Sequence, residues 1–155
     1  MTLLERLAAE LTAAKVPFAV VGGIALSLHG APRGTMDIDL VTKFSEDNFR
    51  KFEECLKKLG LISRIPVKAS EVFQFREEYI ERRKLTAWSF YYPSNPFENV
   101  DLIITHDLGK MSRERRRVGL QTVYVVSIRD LIEMKRTSNR PQDIHDIAIL
   151  ESLLR

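Results

Sequence analysis

Three observations predict an α/β fold in which a small mixed sheet bears three aspartates and has helices packed on it. Apolar residues recur at helical spacing in several segments, short β-branched and aromatic runs stand between them, and a Gly-Gly turn joins the first such run directly to a helix. The chain has 155 residues, 45% of them apolar and 29% charged, which fits one domain over residues 1–155 with one core and excludes disordered, collagen-like and disulfide-rich classes.

Leu3, Leu4, Leu7, Ala8, Leu11 and Ala14 lie on one helical face; Thr2 with Glu5 forms a capping box, and Val16-Pro17 ends the helix. Phe18 to Val21 reads as a strand, Gly22-Gly23 as the turn after it, and Ile24 to Leu28 as a two-turn helix stopped by Gly30 and Pro32. Met36 to Thr42 alternates as a strand, with Met36, Ile38 and Leu40 on one face and Asp37 and Asp39 on the other. Ser45 caps a helix to Lys58 whose buried face holds Phe49, Phe52, Leu56 and Leu59, with Gly60 as its stop. Ile62 to Val67 is predicted extended because Pro66 opposes helix, and Ser70 to Lys84 reads as one charged helix. Thr86 to Tyr92 and Val100 to Thr105 form a hairpin through the turn at Pro93 to Pro96, with Asp101 facing away from Val100, Leu102 and Ile104. After a basic surface segment, Lys110 to Arg117, come a strand at Thr122 to Val126 and helices from Ser127 to Thr137 and Pro141 to Leu154.

A net charge of +3 is too small a bias to name nucleic acid or membrane as partner. The lone Cys55 fits a reducing cytoplasm and a packing role. No secretory leader is expected, since Glu5, Arg6, Glu10 and Lys15 interrupt the first segment. The longest apolar run, Phe18 to Leu28, is broken by Gly22-Gly23 and Ser27 and falls short of the roughly 20 residues a membrane helix needs.

Chemistry concentrates in Gly22-Gly23, Asp37-Ile38-Asp39 and Asp101. Glycines admit a phosphate close to the backbone, and helix amides after them favour negative charge. Asp37 and Asp39, two residues apart on a strand, put two carboxylates on one face, where a pair of Mg²⁺ ions about 4 Å apart is held. Three converging aspartates repel one another unless a cation neutralises them.

The stretch Val20-Val-Gly-Gly-Ile-Ala-Leu-Ser-Leu-His-Gly-Ala-Pro-Arg-Gly-Thr-Met-Asp-Ile-Asp-Leu40 resembles the nucleotidyltransferase superfamily that includes DNA polymerase β, and within it the small bacterial and archaeal nucleotidyltransferases with their toxin-like branch. The segments Trp88 to Asp101, Leu131 to Lys135 and Arg140 to Asp146 are similar to later blocks of such proteins, so the resemblance covers most of the chain. It implies a nucleotidyltransferase fold in which Asp37, Asp39 and Asp101 are catalytic and bind two Mg²⁺ ions, with Asp101 deprotonating or orienting the acceptor hydroxyl. It also implies that Gly22, Gly23 and Lys135 hold the phosphates of an NTP substrate. The implied reaction moves an NMP to a hydroxyl of a small molecule, protein or RNA, releasing pyrophosphate.

Arg33 and Thr35, in the loop before the metal strand, are placed to touch phosphate or acceptor, or to be solvated. Lys135 stands where the helical pattern of Ile128, Leu131 and Ile132 calls for an apolar residue. Asp143 suits the first turn after Pro141, and Asp146 is placed to pair with Arg140 or Lys135; both read as ion-pairing residues, with a direct active-site role as the alternative. His29, His106 and His145 lack zinc-site spacing. Lys110, Arg113, Arg115, Arg116 and Arg117 form a basic patch that suits an RNA backbone or an acidic protein, and equally a solvated surface. The lone cysteine, the interrupted first segment and the short apolar run lead us to expect a cytoplasmic chain with no membrane partner, and the resemblance adds an antitoxin, with a second copy of the chain as the other candidate partner. The competing reading is a catalytically silent binding module of the same fold, or an antitoxin-like partner, against which the presence of all three carboxylates argues.

Overall fold

Reciprocal hydrogen bonds between Thr2 and Glu5 start the first helix: Thr2 Oγ1 accepts the Glu5 amide at 3.2 Å, and the Glu5 carboxylate accepts the Thr2 amide at 3.3 Å. The computed structural model describes residues 1–31, 34 and 37–154. Helix α1 (Leu3–Ala13) stops three residues before the predicted Val16, because Lys15 turns left-handed (φ 58°) and the Val16 amide bonds back to Leu11 O at 2.9 Å. The fully buried β1 (Phe18–Val21) runs without a break into α2 (Gly22–Leu28).

Strand β2 (Ile38–Thr42) begins later than predicted: Met36 lies outside the described residues, and Asp37 is exposed just ahead of the strand. Helix α3 (Glu46–Lys58) has its predicted bounds. Ser45 Oγ accepts the Asn48 amide at 3.0 Å, Glu46 and Asp47 sit at the positive end of the helix dipole, and Lys57 and Lys58 sit at the other. Phe49, Phe52, Cys55 and Leu56 are its buried residues.

The extended stretch from Ile62 to Val67 reduces to β3 (Ile62–Ser63). Ser63 Oγ donates to Ile65 O at 2.7 Å and accepts the Ile65 amide at 3.2 Å, folding the chain off the sheet ahead of Pro66. The predicted helix from Ser70 to Lys84 is two helices, α4 (Ala69–Gln74) and α5 (Arg76–Arg83). Arg76 Nη1 donates to Phe73 O at 2.7 Å, and its guanidinium lies over the Phe44 and Phe73 rings, so a side chain supplies what helical continuity would have given that carbonyl.

The hairpin forms as expected from β4 (Ala87–Tyr92) and β5 (Asn95–Ile103), with β5 starting earlier than Val100 and a register shift at Tyr91/Tyr92. The largest correction concerns the basic segment. After a 3-10 turn at Leu108–Lys110 it is a strand, β6 (Arg113–Val118), paired antiparallel with β7 (Gln121–Val126). Arg113 lies over the Tyr124 ring 3.8 Å from its centroid and donates to Phe18 O, while Arg116 donates to Leu28 O, so the long side chains pack and bond although their charge hides a strand pattern. Helices α6 (Ile128–Ser138) and α7 (Pro141–Leu153) close the chain as predicted to within a residue at the ends.

The seven strands order as β3-β4-β5-β2-β1-β7-β6. β1 is antiparallel to β2 and parallel to β7, and β2 is parallel to β5, giving the mixed sheet that the sequence predicts. Helix α3 packs Phe49 and Phe52 against Trp88 and Phe90, with α4 against α3, and α1 and α2 lie beside β7 and β1, around a core that includes Leu11, Leu26, Leu40, Phe49, Phe52 and Leu102. Cys55 is buried there, its thiol donating to Glu10 O at 3.7 Å, and burial raises its pKa, as a packing role requires. Among the described residues no helix is long and apolar enough to cross a membrane.

Candidate active site

Adjacent central strands assemble the carboxylates. β2 and β5 run parallel with Asp39 opposite Asp101, while their neighbours Ile38, Leu40, Val100 and Leu102 are buried, so both aspartates project from the face opposite that packing. Burial and the charges of Asp101 and Asp37 push the Asp39 carboxyl up to about 7. Burial also raises Asp101, against the pull of a hydrogen bond from Ser89, its neighbour in register on β4. Asp37 stands at the strand entrance with its Oδ1 3.5 Å from Asn99 Nδ2.

Gly22 is fitted to this pair. Its φ of +70° is left-handed, and a Cβ there would collide with the Asp39 carboxylate, so glycine is required both for the turn and for the close approach of α2 to β2. Val21, the residue before α2, gives no side-chain cap.

Lys135 reaches the same place from α6. A cleft of about 420 Å³ is lined by Gly22, Asp39, Ile103, His106, Lys135 and Asp143, among others. Lys135 Nζ pairs with Asp146 Oδ2 at 3.0 Å and Asp143 Oδ1 at 3.8 Å, both carboxylates almost fully buried on α7. Asp146 thus takes Lys135 rather than Arg140 as its salt-bridge partner. Burial pushes the Asp143 carboxyl up, but hydrogen bonds from Ser138 and from the Arg140 backbone and guanidinium outweigh it and hold the group at about 2. The helical pattern calls for an apolar side chain at Lys135 because the position does face inward; two buried carboxylates make a cation fit there.

Gly22, Asp39, Asp101 and Lys135 therefore gather around one end of β2, with Asp37 beside them and Gly23 following Gly22 in α2, while Arg33 and Thr35 lie outside the described residues. Sequence reasoning missed Ser89, Asn99 and Arg64, whose place depends on strand register and on a loop. His29 is structural: its Nε2 donates to Val126 O at 2.8 Å and its Nδ1 accepts from Arg116. His106 lines the cleft, and burial lowers its pKa.

Among the described residues no three His, Cys, Asp or Glu are gathered at metal-binding spacing. The donor chemistry nevertheless fits Mg²⁺: hard carboxylate oxygens without thiol or imidazole, two of them crowded until protons are held more tightly than is ordinary.

These titrations have opposite signs. The folded chain keeps a proton on Asp39 that the unfolded chain has lost between 3.8 and about 7, so this group's stability contribution is full below the lower value and fades as pH rises through the upper. Asp143 contributes stability above its ordinary 3.8, lost as pH falls through about 2. Urea titrations of the chain in EDTA are expected to show stability declining from about pH 4 to about pH 7 through Asp39, with millimolar Mg²⁺ reversing the decline. Stability independent of Mg²⁺ at pH 8 would contradict the site.

Known structures share the architecture. An antigenic nucleotidyltransferase-like protein from Paracoccidioides brasiliensis superposes with a TM-score of 0.62 at 20% identity, over 98% of this chain and 75% of that one. ANT(2″)-Ia in complex with adenylyl-2″-tobramycin gives 0.63 at 14%, over 99% and 88%. The lincosamide antibiotic adenylyltransferase LnuA with lincomycin bound gives 0.59 at 12%, over 92% and 90%. No curated protein sequence matches the chain. Residues 2–153 match the model of the AbiEii family, described as nucleotidyl transferase AbiEii toxin, Type IV TA system. A mixed sheet bringing Asp39 and Asp101 into register, over a glycine turn that only glycine fits, thus accompanies a family match along nearly the whole chain, and the chain belongs to the AbiEii family of nucleotidyltransferases.

Proposed function

We propose that this chain, folded as one domain, is an Mg²⁺-dependent enzyme that transfers an NMP from an NTP to an acceptor hydroxyl, with Asp37, Asp39 and Asp101 holding the metal. The observation that carries this reading is the in-register pair Asp39 and Asp101 lining up beside Gly22, with Lys135 in the same cleft. Mg²⁺, when bound, neutralises the carboxylates and the charge developing on the α-phosphate.

The chain's own residues do the rest. Gly22 and Gly23 let the triphosphate approach the backbone, and Lys135, fixed by Asp143 and Asp146, offers it a positive charge. Asp101 orients the acceptor hydroxyl and takes its proton. The hydroxyl oxygen bonds to the α-phosphorus as the bond to the bridging oxygen breaks, and pyrophosphate leaves; catalysis is positioning and electrostatics. The family description, a toxin of a Type IV TA system, supports an antitoxin as a biological partner; the cytoplasm is the setting we propose.

The test is calorimetry of each NTP with and without Mg²⁺, on wild type and on Asp37→Asn, Asp39→Asn together. Binding that needs Mg²⁺ and disappears in the double variant is expected. Folded wild type that binds no NTP would leave the silent-module reading instead.

A further inference from the structure

In-line displacement requires the acceptor to approach the α-phosphorus from the side opposite the departing pyrophosphate. In this fold the two sides differ in composition. The cleft holding Gly22 and Lys135 meets β5 at Ile103; two residues back along the strand is Asp101, and two further back is Asn99. At the rise of a strand, Asn99 and Ile103 lie about 13 Å apart with Asp101 midway between them.

A built surface occupies the Asn99 end. Asn99 pairs in register with Tyr91, and Asp101 with Ser89, so these four side chains share a face. Arg64, from the segment just after β3, lays its guanidinium over the Tyr91 ring 4.5 Å from the centroid. Its Nη2 donates to Asn99 Oδ1 and, at 3.2 Å, to Pro96 O. Asn99 in turn donates to Asp37 Oδ1 at 3.5 Å and to Phe97 O at 3.3 Å. Arg64 is exposed, and among the described residues its Nε and Nη1 make no hydrogen bond. Phe97, in the same hairpin, is 80% exposed and its carbonyl accepts from Asn99.

The geometry points to this surface as the acceptor subsite, with Arg64 receiving an anionic group, a phosphate, that the acceptor carries next to the hydroxyl it offers. The inference rests on the proposed transferase reading and extends it to the acceptor's chemistry. Tyr91 and Asn99 hold the guanidinium in one orientation, with Nη2 taken by Asn99 and Pro96, so its positive charge and the hydrogen-bond donors left at Nε and Nη1, each acting singly, suit a phosphate oxygen. An acceptor whose ring also stacks on Phe97 gains further contact.

The experiment fills the donor cleft first. Wild type, Arg64→Gln and Arg64→Lys are saturated with Mg²⁺ and the α,β-methylene analogue of the tightest-binding NTP, and each loaded protein is titrated with ribose, ribose 5-phosphate and a single-stranded RNA trinucleotide. A phosphate-bearing probe is expected to bind loaded wild type more tightly than ribose, with a roughly 10–100-fold loss in Arg64→Gln and a smaller one in Arg64→Lys. Tighter ribose 5-phosphate assigns a small sugar phosphate as the source; a tighter trinucleotide, weakened by Phe97→Ala, assigns a strand end. Equal affinity for ribose and its phosphate, equal affinity of wild type and Arg64→Gln, or no binding of any probe overturns the subsite. Failure of the NTP analogue itself to bind is a separate result, which refutes the transferase reading and takes this inference with it.

Discussion

Asp39→Asn is expected to lower NMP transfer by about 10³-fold or more while making the metal-free protein more stable at pH 8. The loss follows from removing one of two carboxylates that β2 and β5 bring into register. The gain follows from the same crowding: above about 7 the folded chain must carry an ionised Asp39 that burial, Asp101 and Asp37 all oppose, and the amide carries no charge. At about 1.4 kcal/mol per pKa unit that burden is roughly 4 kcal/mol, of which an amide buried in the same place recovers about half, or a Tm about 4–8 °C higher in EDTA. The advantage disappears near pH 4, where wild-type Asp39 is protonated, and shrinks when Mg²⁺ is added to wild type. Thermal melts at the two pH values, with and without Mg²⁺, check each part; a destabilised Asp39→Asn protein at pH 8 in EDTA would show that the carboxylates are not the strained group.

Lys135→Met is expected to lose stability and function together. The lysine side chain is 11% exposed between carboxylates that are 2% and 1% exposed, and removing the cation from a buried pair costs about 3–5 kcal/mol. Hydrogen bonds to Asp143 from Ser138 and Arg140, and from Gln142 to Asp146 at 3.1 Å, place the cost near the lower figure, a fall in Tm of roughly 10 °C. The companion variant Lys135→Met, Asp146→Asn separates two jobs. Urea denaturation is expected to show most of the stability recovered, because charge has left both sides, while calorimetry shows NTP binding still absent. Recovered NTP binding would mean that Lys135 serves only its aspartates.

The parts of the fold with strong local signals were legible in the sequence. Ser45, Gly60 and the spacing of Phe49, Phe52 and Leu56 defined α3 because capping and periodicity agreed there, and the Gly-Gly turn placed α2. The split at Phe75 was hidden because no glycine or proline marks it and the break comes from a guanidinium reaching back to a carbonyl. Strand β6 was hidden because alternation cannot be read where nearly every side chain is an arginine, and its strand character is set by pairing with β7. At the site, the aspartates were legible from alternation and resemblance together, and Asp37 proved to stand just outside the strand that alternation gave it. Arg64 and Asn99, 35 residues apart in the chain, carried no local mark, since only the hairpin register brings them together.

Strand β6 also governs how copies of this protein can meet. Among the described residues it is the last strand of the sheet, an edge to which another strand could be added. An antiparallel neighbour of the same sequence, centred on Arg116, would bring the exposed Arg115 of each copy against Arg117 of the other, with Glu114 the lone acidic residue of the strand and already facing Arg116. Like-charge contact at that spacing disfavours the pairing, so the arginines act as a guard that keeps sheets from joining into longer ones at high concentration, and salt, by screening them, weakens the guard.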